Sequence, residues 1–153
     1  KTTLDEIGDS IGFNKAALYY YFKNKEELFV QVVNNQLTIG LDKLQSDIFD
    51  MPDDEFYLSV APFIDITHDC TFHSATGCRG ELKQEAFFVE FIDKDGNIIL
   101  SESMSSMSNG FIDLWLPREI EGTLTISQDG LSSSKLIMTE AGEPTCETTM
   151  QLT

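Results

Sequence analysis

Two of the chain's three cysteines and both of its histidines fall within fifteen residues, THDCTFHSATGCRGE, at positions 67–81. His68, Cys70, His73 and Cys78 offer two imidazole nitrogens and two thiol sulfurs, and Cys146 stands far along the chain. Thiolate with imidazole suits Cu(I), Zn(II) or a cluster metal and disfavours cations that prefer oxygen. The spacing H-x-C-x2-H-x4-C is not that of a standard zinc finger. A metal site, a redox pair and a disulfide pinning an irregular loop are all open on these residues. The odd cysteine count allows one bridge plus a free thiol, or three thiolates on one ion. Arg79 directly follows Cys78 and would lower its pKa, unless it pairs with Glu81 or Asp69.

Such ligands need a scaffold, and from about residue 56 the sequence supplies short β-prone runs. FYLSVAPF, EAFFVEFID, NIILSE, GFIDLWLP, GTLTISQ, SKLIMTE and CETTMQL are separated by the turn formers DKDGN, MSNG and QDG. About seven strands over roughly a hundred residues predict an antiparallel β-sandwich or barrel-like domain at 56–153. Trp115 in LWLP reads as core. Met104 and Met107 in SESMSSMSNG are either thioether ligands for Cu(I) or packing residues of a hairpin.

The first part of the chain has a different period. Leu4, Ile7, Ile11, Ala16, Ala17, Leu18, Phe22, Leu28, Phe29 and Val32 recur at three- and four-residue steps, predicting helices over residues 2–37. Thr3 with Glu6 forms a capping box, Asn14 caps a second helix, and Asn24 caps a third through KEELFVQVVNNQL. The predicted class is therefore α+β. Residues 1–45 form a helix-turn-helix segment, 46–55 an acidic linker, and 56–153 the β-rich domain.

Charge follows the same division. Five Lys against six Asp and Glu leave −1 on residues 1–45, and five Lys and Arg against twenty acids leave −15 on residues 46–153. The acidic part should repel phosphate backbones, so only the first segment is suited to approach DNA. No apolar run approaches the roughly 20 residues needed to cross a bilayer. The polar start KTTLDEIGDS shows no signal-peptide pattern. Nothing resembles a phosphate-binding loop or a nucleophile elbow.

The string IGDSIGFNKAALYYYFKNKEELF resembles the DNA-binding region of TetR-type transcription regulators, through Ile7, Gly12, Asn14, Leu18, Tyr19, Phe22, Lys25, Glu27 and Leu28. The resemblance implies that NKAALYYYF enters the major groove. Lys15, Ala16, Ala17 and Tyr20 would face bases, while Tyr19, Tyr21 and Lys25 would reach phosphates. The family's preceding helix is missing here, and its following helical domain is replaced.

Three further blocks, SVAPFIDITHDCTFHSATGCRGEL, NGFIDLWLPREIEGTLTI and PTCETTMQLT, together resemble CueP-type periplasmic copper-binding proteins over residues 57–153. This resemblance implies a β-rich domain that holds copper outside the cytoplasm. It implies roles in copper resistance, in copper supply to a periplasmic superoxide dismutase, and in thiol-driven reduction of Cu(II). The family's three cysteines carry over onto Cys70, Cys78 and Cys146, with His68 and His73 in the matching motif. Zinc is the alternative ion.

The two resemblances point to different compartments. In the first reading the protein binds copper in the periplasm, at most as a thiol-dependent metal reductase, with a copper-accepting or thiol-reducing partner. Its first segment then serves as a stalk or homodimer contact. In the second it is a cytoplasmic TetR-type regulator whose β-domain senses metal. In the third, two unrelated segments have been joined. Copper binding is the reading adopted, because the longer match carries it and all its ligand residues are present.

Overall fold

Alternation decides the fold along most of the chain. In the computed structural model the described residues are 29–33, 36–42, 45–50 and 52–153 without 75 and 76, with side chains described from residue 52 onward. They contain ten strands: β1 (Phe29–Val33), β2 (Gln36–Asp42), β3 (Gln45–Asp50), β4 (Glu55–Val60), β5 (Ala86–Asp93), β6 (Ile98–Ser105), β7 (Ile112–Pro117), β8 (Glu121–Gln128), β9 (Leu131–Met138) and β10 (Cys146–Glu147). No helix occurs among the described residues.

The α+β expectation is therefore corrected. The third predicted helix spanned 25–37, yet Phe29–Val33 is a strand paired antiparallel with β2, in the register Val30↔Ile39 and Val32↔Leu37. The residues that spaced well for a helix, Phe29 and Val32, lie in FVQVV, a run rich in β-branched side chains. Those side chains lose χ1 freedom in a helix and sit comfortably on a pleated sheet. The first two predicted helices, with Lys15, Ala16, Ala17, Tyr19, Tyr20 and Tyr21, and Lys25 at the start of the third, lie outside the described residues.

β1, β2 and β3 form one antiparallel sheet. The remaining strands form a three-stranded sheet ordered β10-β4-β7 and a four-stranded sheet ordered β6-β5-β8-β9. Neither closes, so no barrel forms, and the pairing is not wholly antiparallel: β10 runs parallel to β4, with Cys146 opposite Ser59. Tight turns fall at the polar breaks. Asp129 and Gly130 both take positive φ, 51° and 85°, as a two-residue type I′ hairpin requires.

The inward residues of the two sheets make the core. Phe56, Leu58 and Val60 of β4 and Leu114 and Leu116 of β7 meet Phe87, Val89 and Phe91 of β5 and Leu124 and Ile126 of β8. Each such side chain contributes about 1.5–3 kcal/mol by leaving water. Met150 and Leu152 from the end of the chain close this core.

β4 is buried on both faces. Tyr57 and Ser59 point away from the core, yet they are 3% and 0% exposed. The irregular segment 61–85, which carries four of the five candidate ligand residues, lies between β4 and β5. Trp115, expected in the core, sits opposite Tyr57 and is 41% exposed. Alternation along IDLWLP turns Leu114 and Leu116 inward, so Trp115 must face out.

Candidate metal centre

The parallel pairing of β10 with β4 delivers the distant cysteine. Cys146 meets Cys70 in a disulfide with their Cα atoms 5.7 Å apart. Cys78 is a free thiol with its Sγ 3.4 Å from Cys70 Sγ. His73 Nδ1 lies 3.8 Å from Cys146 Sγ. The ligand atoms of His68, Cys70 and Cys78 all lie within 4.8 Å of one another, and so do those of His73, Cys78 and Cys146. Cys78 belongs to both groups. All five residues singled out in the sequence thus meet at one place.

Their positions rest on contacts that bridge the loop and the end of the chain. The amides of Thr145 and Cys146 donate to the Thr71 carbonyl at 3.0 and 3.2 Å. The Thr145 hydroxyl accepts from the His73 amide at 3.1 Å. The Thr67 hydroxyl donates to the Thr148 carbonyl, and the Thr148 hydroxyl donates to the His68 carbonyl at 2.6 Å. Within the loop, the Cys78 amide donates to the Ser74 carbonyl at 2.9 Å, and the Ser74 amide points at Cys78 Sγ from 3.3 Å. The turn therefore cups the free sulfur. Glu81 gathers the amides of Ile64, Asp65 and Ile66 at 2.8, 3.0 and 3.2 Å, which holds its carboxyl below the usual range.

Beneath the sulfurs lies an apolar floor of Ala61 and Phe111, with all three cysteines packed against it. The Phe111 ring lies between the two imidazoles, 4.6 Å from His73 and 6.2 Å from His68. Burial pushes the His73 pKa down to about 4, with the neighbouring His68 adding to the effect, so its ring is neutral at physiological pH. A neutral imidazole is the form that binds metal. His68 Nε2 is closed off from solvent and has no hydrogen-bond partner.

The Cys78 thiol is raised above its ordinary value. Burial is the largest cause, and the Ser74 amide and Arg79 only partly offset it. The lowering expected from Arg79 is thus present but outweighed. A soft cation, which favours thiolate over thiol, would reverse that balance on binding. Above the site opens a cleft of about 710 Å3, reached past Ile66, Asp69 and Lys83.

Sequence reasoning did not single out Phe111, Ser74, Thr145 or Thr148. Phe111 carries no polar signal, and the threonines lie more than seventy residues from the loop they hold. Once the bridge is reduced, three sulfurs and two imidazoles, one of them held neutral by burial, over an apolar floor fit a soft metal ion. Hard cations would find too few oxygens.

The fold and site thus define a β protein of open sheets with a mixed thiol and imidazole centre built between a loop and the final strand. The family described as "Periplasmic copper-binding protein CueP" matches residues 19–151, and the chain belongs to it. A solved structure titled "Crystal Structure of S.CueP" superposes with a TM-score of 0.79 at 36% identity, covering 83% of this chain and 80% of that one. The family "Bacterial regulatory proteins, tetR family" matches residues 1–32. The biofilm operon icaADBC HTH-type negative transcriptional regulator IcaR of Staphylococcus epidermidis is 44% identical over 43 residues. That stretch is 28% of this chain and spans only 23% of the regulator.

Proposed function

We propose that this protein takes up copper in the periplasm at Cys70, Cys78, Cys146, His68 and His73, and that its thiols reduce Cu(II) to Cu(I). The observation that carries the reading is the convergence of three sulfurs and two imidazoles on one apolar floor. In this reading the copper-handling unit is residues 56–153.

Sulfur ligands favour Cu(I) over Cu(II), so binding itself biases reduction. Closing Cys70 and Cys146 into a disulfide releases two electrons and two protons, and each Cu(II) takes up one electron. One turnover thus consumes two thiols and yields two Cu(I). Cys78, 3.4 Å from Cys70 Sγ, is placed to attack the bridge and exchange partners. An oxidising compartment does not restore the thiols, so a dithiol protein must reduce the bridge between turnovers. A copper-accepting protein would then draw Cu(I) from the open cleft, which connects the site with copper resistance or delivery.

Copper and zinc stoichiometry of the reduced chain, compared with a Cys78→Ser variant, tests the site. One tightly held Cu(I), sharply weakened in the variant and displacing any zinc, is the expected result. Unchanged copper content in the variant removes Cys78 from the site and overturns the proposal.

A further inference from the structure

A second concave surface lies at the edge where β6 of the four-stranded sheet approaches β7 of the three-stranded one. This cavity, about 420 Å3, is lined by Glu102, Met104, Met107, Asp113 and Trp115 among others. Both methionines are half-buried, Met104 packs against the main core, and neither lines the cleft above the cysteines.

Asp113 is the unusual member. Its Oδ1 accepts from the Ser59 hydroxyl at 2.6 Å. Its Oδ2 is closed off from solvent, and the Tyr57 hydroxyl also faces the carboxylate. Burial raises the acid to about 6, with the Ser59 and Tyr57 hydroxyls opposing, so it is mostly ionised at neutral pH. A carboxylate buried with only two hydroxyl donors keeps an uncompensated charge, which a nearby cation or a proton offsets.

We propose that this cavity is a second soft-cation site, in which the thioethers of Met104 and Met107 bind Cu(I) and the Asp113 carboxylate balances its charge. The donor chemistry selects the ion. Magnesium and calcium need six or more oxygens, which two carboxylates and neighbouring hydroxyls do not supply. Thioethers favour monovalent copper and silver, carry no proton to lose, and do not close into disulfides. They remain ligands in a compartment that oxidises thiols. The indole of Trp115 on the cavity wall offers an electron-rich face to a cation.

The cavity and its lining do not depend on the reduction proposed above. Its role rests on the proposed reduction: two Cu(I) arise as one disulfide forms, while only one thiol remains at the cysteine site. A thioether site gives the second ion a place that the reaction does not destroy.

The test uses the oxidised full chain carrying Cys78→Ser, which leaves no thiolate, and Ag(I) as a redox-inert probe. Trp115 is the chain's single tryptophan, so its emission reports on this cavity. Saturable quenching near one equivalent, with shifts of two methionine methyl resonances, is expected. Adding Met104→Leu with Met107→Leu should abolish both signals, and Asp113→Asn should weaken binding roughly tenfold, a change of about 1.4 kcal/mol. Unshifted methionine methyls in the parent overturn the proposal without recourse to any variant. So does Ag(I) binding that survives the double leucine change, which would place the ion on His68 and His73.

Discussion

The paired sheets and the loop that lies on them are held by different means. In the sheets every inward position repeats the same interaction: a ladder of backbone bonds with an apolar side chain packed across it. Phe91, Val89, Leu124 and Ile126 are each 0% exposed, and losing one leaves its neighbours in place. The loop at 61–85 contains none of the named strands. It is tied at single points: one carboxylate on three amides, a few threonine hydroxyls, one disulfide and a close crossing of two glycines. The core therefore sets how stable the protein is, and the loop sets what its sulfurs can do. The two should respond separately to mutation.

The largest effect should come from the bridge, because Cys70 and Cys146 enclose a long stretch of chain, 76 residues apart in sequence. Reducing it should cost about 4 kcal/mol through the freedom regained by the unfolded chain. Denaturant midpoints with and without a reductant check this. A shift below about 1 kcal/mol would mean the loop is held by its hydrogen bonds instead.

Next, Leu124→Ala should cost about 2–5 kcal/mol by leaving a void between the sheets. Copper content of the folded fraction should stay unchanged. If copper is lost in proportion to stability, core and loop are not separable.

Gly110→Ala makes the opposite test. A Cβ at Gly110 would fall 2.6 Å from the Gly80 carbonyl, and its φ of 84° is strained for any other residue. The expected cost is about 1–3 kcal/mol. Copper affinity should drop here, since Gly80 lies two residues from Cys78. Unaltered affinity would show that the crossing serves only packing.

The last test concerns pH. His73 has a folded pKa of about 4, below its unfolded value of about 6.5. The unfolded chain therefore binds more protons between these values, and stability must fall as pH drops from about 6.5 toward 4. In metal-free oxidised protein, His73→Gln should flatten the stability profile in that window, while Leu124→Ala should only lower it. A His73 resonance titrating near 6.5 would contradict its burial.

How much of this was legible beforehand differs residue by residue. The ligand cluster announced itself, because soft donors at short spacing are rare and their chemistry does not depend on fold. The strands of the β-domain were legible from alternation, since a period of two leaves few other structures. FVQVV was misread because short apolar runs satisfy both periods. Pairing with β2, a non-local event, made it a strand. Trp115 was misplaced because aromatic size suggests burial, whereas its outward register in IDLWLP places it on the wall of the second cavity.

Composition and local pattern by themselves determined which groups were available: three thiols, two imidazoles, five thioethers and strands to carry them. Only the tertiary structure decided that Cys146 bonds to Cys70 and leaves Cys78 free. It alone buried His73 into neutrality and closed one oxygen of Asp113 off from solvent. The reason is physical: the type of a side chain is a local property, but its protonation, pairing and exposure depend on what distant chain segments bring within a few ångströms.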